Sequence, residues 1–218
     1  MVADDRHSVA GEPEIISDPV ERAHRETRNG LVQAEEVLQW VETFTAGDRP
    51  FRLRPSLILG LHRTAMDGVT PLAGTWRNGP ITISGSAHAP PPAFLVPELV
   101  EDLCEWVNDH WASKTAVEIS AYVMWRMNWI HPFVDGNGRT ARAVSYLALC
   151  AHLGYRLPGT KTIPEHIAGN KEPYYAALEQ ADNTNLKPLI DYVTDLLARQ
   201  LLDVFESATR AGAASVDG

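Results

Sequence analysis

Between positions 131 and 142 the chain gathers one imidazole, one carboxylate, a glycine pair around an amide, and two guanidiniums: His131, Asp135, Gly136-Asn137-Gly138, Arg139 and Arg142. Glycines tolerate positive φ and lack Cβ, so the amides of Gly136 and Gly138 can converge on an oxygen anion. A helix beginning near Arg139 adds its unpaired first amides to the same pocket. Arg139 and Arg142, three apart, then share a helix face and can grip successive phosphates. Such a helix start disfavours cations unless an anion is bound, so two arginines there argue for a ligand. Asp135, the lone carboxylate among positive groups, suits a magnesium ion held between phosphates. His131 stands across the loop, and an ordinary imidazole can accept a proton from a hydroxyl at neutral pH. The chemistry indicated is phosphoryl or nucleotidyl transfer to a hydroxyl.

The elements that must position this loop are two apolar segments. Thr115 to Ile130, with Tyr122, Trp125 and Trp129, reads as a central helix packed on several sides. Ala143 to Leu153 stays apolar until Gly154, so the loop lies between two buried helices.

At this point the sequence resembles a known family. Residues 131 to 142 match His-Pro-Phe-x-Asp-Gly-Asn-Gly-Arg-x-x-Arg, the Fic-domain signature of the Fic/Doc superfamily, at every specified position. The similarity extends over about residues 50 to 200. It implies an all-α enzyme, a Fic-type helical domain with a small β-hairpin flap, that transfers AMP from ATP to a Ser, Thr or Tyr hydroxyl of a target protein. By that resemblance His131 is the base and Asp135 holds Mg2+. Gly136, Asn137 and Gly138 form the anion hole, Arg139 and Arg142 clamp the phosphates, and Phe133 anchors the loop. Doc-like kinases usually carry lysine where this chain has Gly138, which favours adenylylation. Two alternatives remain: a phosphotransferase or other nucleotide-derived transferase on the same cradle, and a noncatalytic peptide-binding protein.

With 218 residues, the chain is expected to hold one core with a small extension. Its 44% hydrophobic and 22% charged residues are those of a soluble globular protein. A net charge of -9 argues against a nonspecific grip on nucleic acid or an anionic membrane. Cys104 and Cys150 lack metal-site spacing and read as buried thiols, which suits a reducing, cytoplasmic setting. The polar start Met1-Val2-Ala3-Asp4-Asp5-Arg6 does not read as a signal peptide, and no apolar run reaches membrane length.

Along the chain, residues 1–18 are expected to be a flexible N-terminus, 19–49 accessory helices, 50–207 the catalytic domain and 208–218 a flexible C-terminus. Gly30 is expected to interrupt the first helix, after which Leu31, Ala34, Val37, Leu38 and Val41 form an apolar stripe. Relatives carry an inhibitory helix with Ser/Thr-x-x-x-Glu-Gly/Asn, whose glutamate pairs with the second motif arginine. Ser17 to Glu21 fits it, but Arg22 departs from it, and Asp18-Pro19 reads equally as a plain helix start. The alternatives to a degenerate brake at Glu21 are an unrestrained domain and a separate antitoxin-like inhibitor. His62 reads as structural. Gly74 to Gly85 suggests a hairpin, with Ile81 and Ile83 alternating beside turn residues. In relatives such a flap aligns the target backbone, which would make Ile81, Thr82 and Ile83 target-binding. The other reading is a cover over the core. Tyr174 and Tyr175 are candidates for the adenine wall or for core packing. A long stripe from Leu186 to Phe205 closes the domain.

Overall fold

The computed structural model describes residues 8–9, 15–47, 49–159 and 161–214. A two-residue strand β1 (Ser8–Val9) precedes α1 (Pro19–Thr45) and α2 (Pro55–Met66). Strand β2 (Thr82–Ile83) is followed by a short 3-10 turn at Ala93–Leu95 that runs into α3 (Val96–His110). Next come α4 (Ala116–Ile130), α5 (Asn137–Leu153), α6 (Ile163–Gly169), α7 (Glu172–Asp182) and α8 (Lys187–Ala214). The fold is all-α, as expected.

Helices α4 and α5 pack along each other at the centre. Ile119, Val123, Met127 and Ile130 of α4 and Val144, Leu147 and Leu149 of α5 are fully buried. A Thr115–Glu118 capping box starts α4. Helices α3, α7 and α8 also pack on α4.

Helix α1 lies on α2 and α5 and runs unbroken through Gly30. A mid-helix glycine costs about 1 kcal/mol, which α1's packing offsets. Its buried face is Asn29, Gln33, Val37 and Val41, while Leu31 of the expected stripe is 71% exposed. The expected stripe holds at Val37 and Val41 and fails at Leu31 and Ala34, because half of this face is polar. Asn29 Nδ2 donates to the carbonyls of Ala65 and Asp67, and Gln33 Nε2 to that of Leu61. The Asn29 amide thus meets carbonyls at the end of α2, while that of Gln33 adds a bond to a carbonyl inside the helix. Val37 and Val41 share one core cluster with α4, α5 and α8, so α1 docks on the core as expected.

Three further expectations need correction. There is no hairpin over Gly74 to Gly85: β2 pairs antiparallel with β1, Ser8 opposite Ile83 and Val9 opposite Thr82. The N-terminal stretch is therefore ordered at Ser8–Val9, while residues 1–7 and 10–14 lie outside the described residues. At the other end α8 continues to Ala214, beyond the expected fraying point at 208, with 215–218 outside the described residues.

Candidate active site

His131 terminates α4 in the left-handed region, φ 52° and ψ 61°. A non-glycine residue there carries strain of roughly 1–2 kcal/mol, so the surroundings must hold it. Arg77 does this. Its side chain is 3% exposed, Nε donates to the His131 carbonyl at 2.7 Å, and a terminal nitrogen donates to that of Ile130 at 3.3 Å. Its backbone N–H donates to the Pro132 carbonyl at 2.9 Å. One guanidinium thus occupies carbonyls that the C-terminus of α4 leaves without helical partners.

The His131 ring is buried, which pushes its pKa down to about 4 and leaves it neutral at pH 7. Nδ1 lies 3.2 Å from the Asn128 carbonyl and so carries the proton, which makes Nε2 the acceptor. Ser8 Oγ lies 3.0 Å from that Nε2. Asn137 Nδ2 donates to the same Ser8 oxygen at 3.3 Å.

The loop beyond His131 is pinned from both sides. Phe133 is fully buried and stacks on His62 with ring centroids 3.5 Å apart. His62 Nδ1 accepts from the Gly74 N–H at 2.9 Å and Nε2 donates to the Asp135 carbonyl at 3.0 Å. Burial lowers its pKa to about 4, so this structural histidine stays neutral. Asn137 accepts from the Phe133 N–H at 2.9 Å and donates to the Phe133 carbonyl at 2.7 Å. Its side chain is therefore held by the Phe133 backbone and Ser8, which leaves its backbone N–H, at the head of α5, as its group for an anion.

The two glycines differ. Gly136 caps α5 with φ 74°, and a Cβ there would come within 2.6 Å of Met66 Sδ. Gly138 lies inside the first turn of α5 without positive φ; a Cβ would press on an Arg142 terminal nitrogen at 3.2 Å. Helix α5 begins at Asn137, so the amides of 137 to 139 head the helix as an anion site requires.

The cleft over this helix start has a volume of about 890 Å³ and reaches from Ser8 and His131 past Gly138 and Arg142 to Tyr175. Tyr174 lines the cleft too but is almost fully buried, and its hydroxyl accepts from Asn128 Nδ2 at 2.7 Å. Tyr175 is half-buried on the cleft wall. Ile81 is buried, Thr82 exposed, and Ile83 lines the cleft.

Helix α1 closes the cleft from above. Arg22 donates to Asp135 Oδ2 at 2.8 Å, while Asp135 Oδ1 accepts from the Gly136 N–H at 2.6 Å. Glu26 lies 3.6 Å from Arg139, which also donates to Met66 Sδ. Glu21, the expected inhibitory residue, sits exposed in the first turn of α1, outside the cleft. Asp18 caps that helix by accepting from the Val20 N–H, so the Ser17 to Glu21 pattern marks a helix start. The α1 carboxylate that faces a motif arginine is Glu26, more than a turn further on. Ser8, Arg22, Glu26 and Arg77 were all missed in the sequence, since nothing in their spacing relates them to residues 131–142.

An all-α domain whose two central helices are joined by a loop that sets a buried histidine ahead of the second helix's N-terminus has the fold of a Fic-type domain. Residues 52–149 match the family model described as "Fic/DOC family". The chain is a Fic-domain protein. It is 30% identical over 154 residues to a protein named "Protein adenylyltransferase Fic" from Drosophila persimilis, covering 70% of this chain and 28% of that protein. A similarly named protein of Drosophila virilis is also 30% identical, with 30% of its length covered. The chain thus spans under a third of the curated relatives it matches. Among solved structures, a Fic-domain-containing signaling protein from Bacteroides thetaiotaomicron superposes with TM-score 0.69 at 23% identity, covering 86% of this chain and 73% of that one. Fic-1 from C. elegans superposes with TM-score 0.68 at 24% identity, covering 89% and 55%. These neighbours share the fold.

Proposed function

We propose that this domain transfers AMP from ATP to a hydroxyl side chain of a target protein and releases pyrophosphate. The observation that carries the reading is the neutral His131 Nε2, aimed as an acceptor at a hydroxyl 3.0 Å away and set beside the N-terminus of α5. A hydroxyl placed there gives its proton to Nε2 as its oxygen attacks the α-phosphate. The amides heading α5, with Arg139 and Arg142, stabilise the charge on the phosphates. The names of the curated relatives support AMP as the transferred group. Tyr175 is better placed than Tyr174 to wall the base, and the β2 edge at Thr82–Ile83 to align a target.

Asp135 fits magnesium in one respect. No group of three metal-binding side chains exists among the described residues, and magnesium characteristically takes one or two carboxylates plus substrate phosphates. Asp135 would hold the ion, and when bound it neutralises phosphate charge. Arg22 covers Oδ2 in this conformation and has to yield it.

The partners proposed are a protein presenting Ser, Thr or Tyr and an antitoxin-like inhibitor. No helix among the described residues is long and apolar enough to cross a membrane. Cys104 and Cys150 are free, buried thiols, which supports a cytoplasmic setting. The test is to offer the protein a cell lysate with Mg2+ and ATP labelled at either the α- or the γ-phosphate. α-Label on lysate proteins is expected. Transfer of γ-label alone would reassign the domain to phosphorylation.

Restraint by α1 belongs to the same reading, because Arg22 and Glu26 hold groups that the phosphates and the ion need. Glu26→Gln should raise ATP affinity roughly fivefold, about 1 kcal/mol for a partly exposed pair. Glu21→Gly should leave it unchanged. ATP titrations of both variants decide, and an unaltered Glu26→Gln removes the brake from this position.

A further inference from the structure

The β2 edge proposed to align a target backbone is filled by the chain itself. β1 lies antiparallel on it, in a register that sets Ser8 opposite Ile83. Main-chain pairing on an exposed edge is how extended peptides are held, with side chains left to reach neighbouring pockets. From this position Ser8 reaches the base. Its oxygen accepts from Asn137 Nδ2 at 3.3 Å, which leaves its proton directed at His131 Nε2, 3.0 Å away. The hydroxyl is therefore both oriented and aimed at a group able to take its proton. It also lines the same cleft as Gly138, Arg139 and Arg142, on the side of His131. A serine that only covered the base would need neither the strand register nor the second hydrogen bond.

We infer that Ser8 is itself an acceptor, modified in cis by this active site. This rests on the adenylyl-transfer reading above. The Ser8 O–H bond breaks with its proton passing to His131 Nε2, an Oγ–Pα bond forms, and the bond from Pα to the bridging oxygen of ATP breaks. Pyrophosphate leaves with the bonding pair, and one AMP ester remains on Ser8. The N-terminal strand thus acts as a built-in substrate that any other target has to displace from β2.

The experiment incubates the whole chain with Mg2+ and ATP, measures intact mass over time, and maps the adduct by peptide fragmentation. Parallel samples hold Ser8→Ala, His131→Ala, and wild type with a cell lysate. One AMP on Ser8, forming at a rate independent of protein concentration and missing from both variants, is the expected result. An adduct mapped to another residue, or persisting in Ser8→Ala, overturns the assignment. A rate that rises with concentration overturns the cis geometry. AMP on lysate proteins with Ser8 unmodified overturns this inference alone and leaves adenylylation standing. AMP on no protein overturns both.

Discussion

Replacing His131 by alanine should lower AMP transfer by about 100-fold to 10,000-fold, the range for loss of a positioned general base, while the domain stays folded. The expectation rests on which nitrogen carries the proton. Nδ1 is committed to the Asn128 carbonyl, so Nε2 alone faces the hydroxyl. His131→Asn is the better control, because asparagine tolerates the left-handed backbone at this position and cannot serve as the base. Both variants should bind ATP, which isothermal titration can verify. Retained transfer in either would reject His131 as the base.

The same residue fixes a pH signature. Burial holds its pKa near 4, so kcat/KM should keep its base limb down to about pH 4, where an exposed histidine would lose it near 6.5. Stability follows with a defined sign. The folded pKa lies below the unfolded value, so between about 4 and 6.5 the unfolded chain binds more protons. His131's contribution is fully present above 6.5 and is lost as pH falls toward 4. Melting curves across that window should show a shallower acid decline for His131→Asn than for wild type. Equal slopes would show that the burial of this ring carries no such penalty.

Replacing Arg77 by alanine should destabilise the domain by about 3 kcal/mol, or roughly 6–12 °C in Tm for a chain of this size. It should also cut transfer at least about tenfold in the protein that remains folded. Arg77 donates to the carbonyls of His131 and Ile130, and also to those of Gly79 and Pro91. Its loss strands buried acceptors at the end of α4 and frees His131 to leave its strained conformation. Burial also lowers the arginine's own pKa, so the site tolerates this cation only because its donors are used. Lysine keeps the charge but not the fork, so Arg77→Lys should recover stability only in part. A variant with unchanged Tm and unchanged transfer would mean that the α4 end is held by other contacts.

Helix α1 shows where reading along the chain fails. Ser17 to Glu21 fits a local pattern, yet its carboxylate faces solvent, and Glu26 is the one that meets Arg139. The pattern records sequence spacing; the contact depends on how α1 is rotated on α2. That rotation is fixed by Asn29 and Gln33 binding α2 carbonyls, and polar residues do not announce themselves as a buried face. The missing hairpin has a similar cause: alternation at Ile81 and Ile83 marks a strand without naming its partner.

By itself the sequence determined the central helix–loop–helix, because α4 and α5 are apolar on most sides and their boundaries carry their own caps and glycines. It also brought residues 131–142 together as a candidate site, since they lie on one loop and the first helix turns that follow it. Only the tertiary structure decided what surrounds them. Ser8 and Arg77 come from 123 and 54 residues away from His131, Arg22 from 113 away from Asp135, and Glu26 reaches Arg139 from the same distant helix as Arg22. Their places follow from packing and strand pairing between distant segments, which local propensity and spacing do not encode.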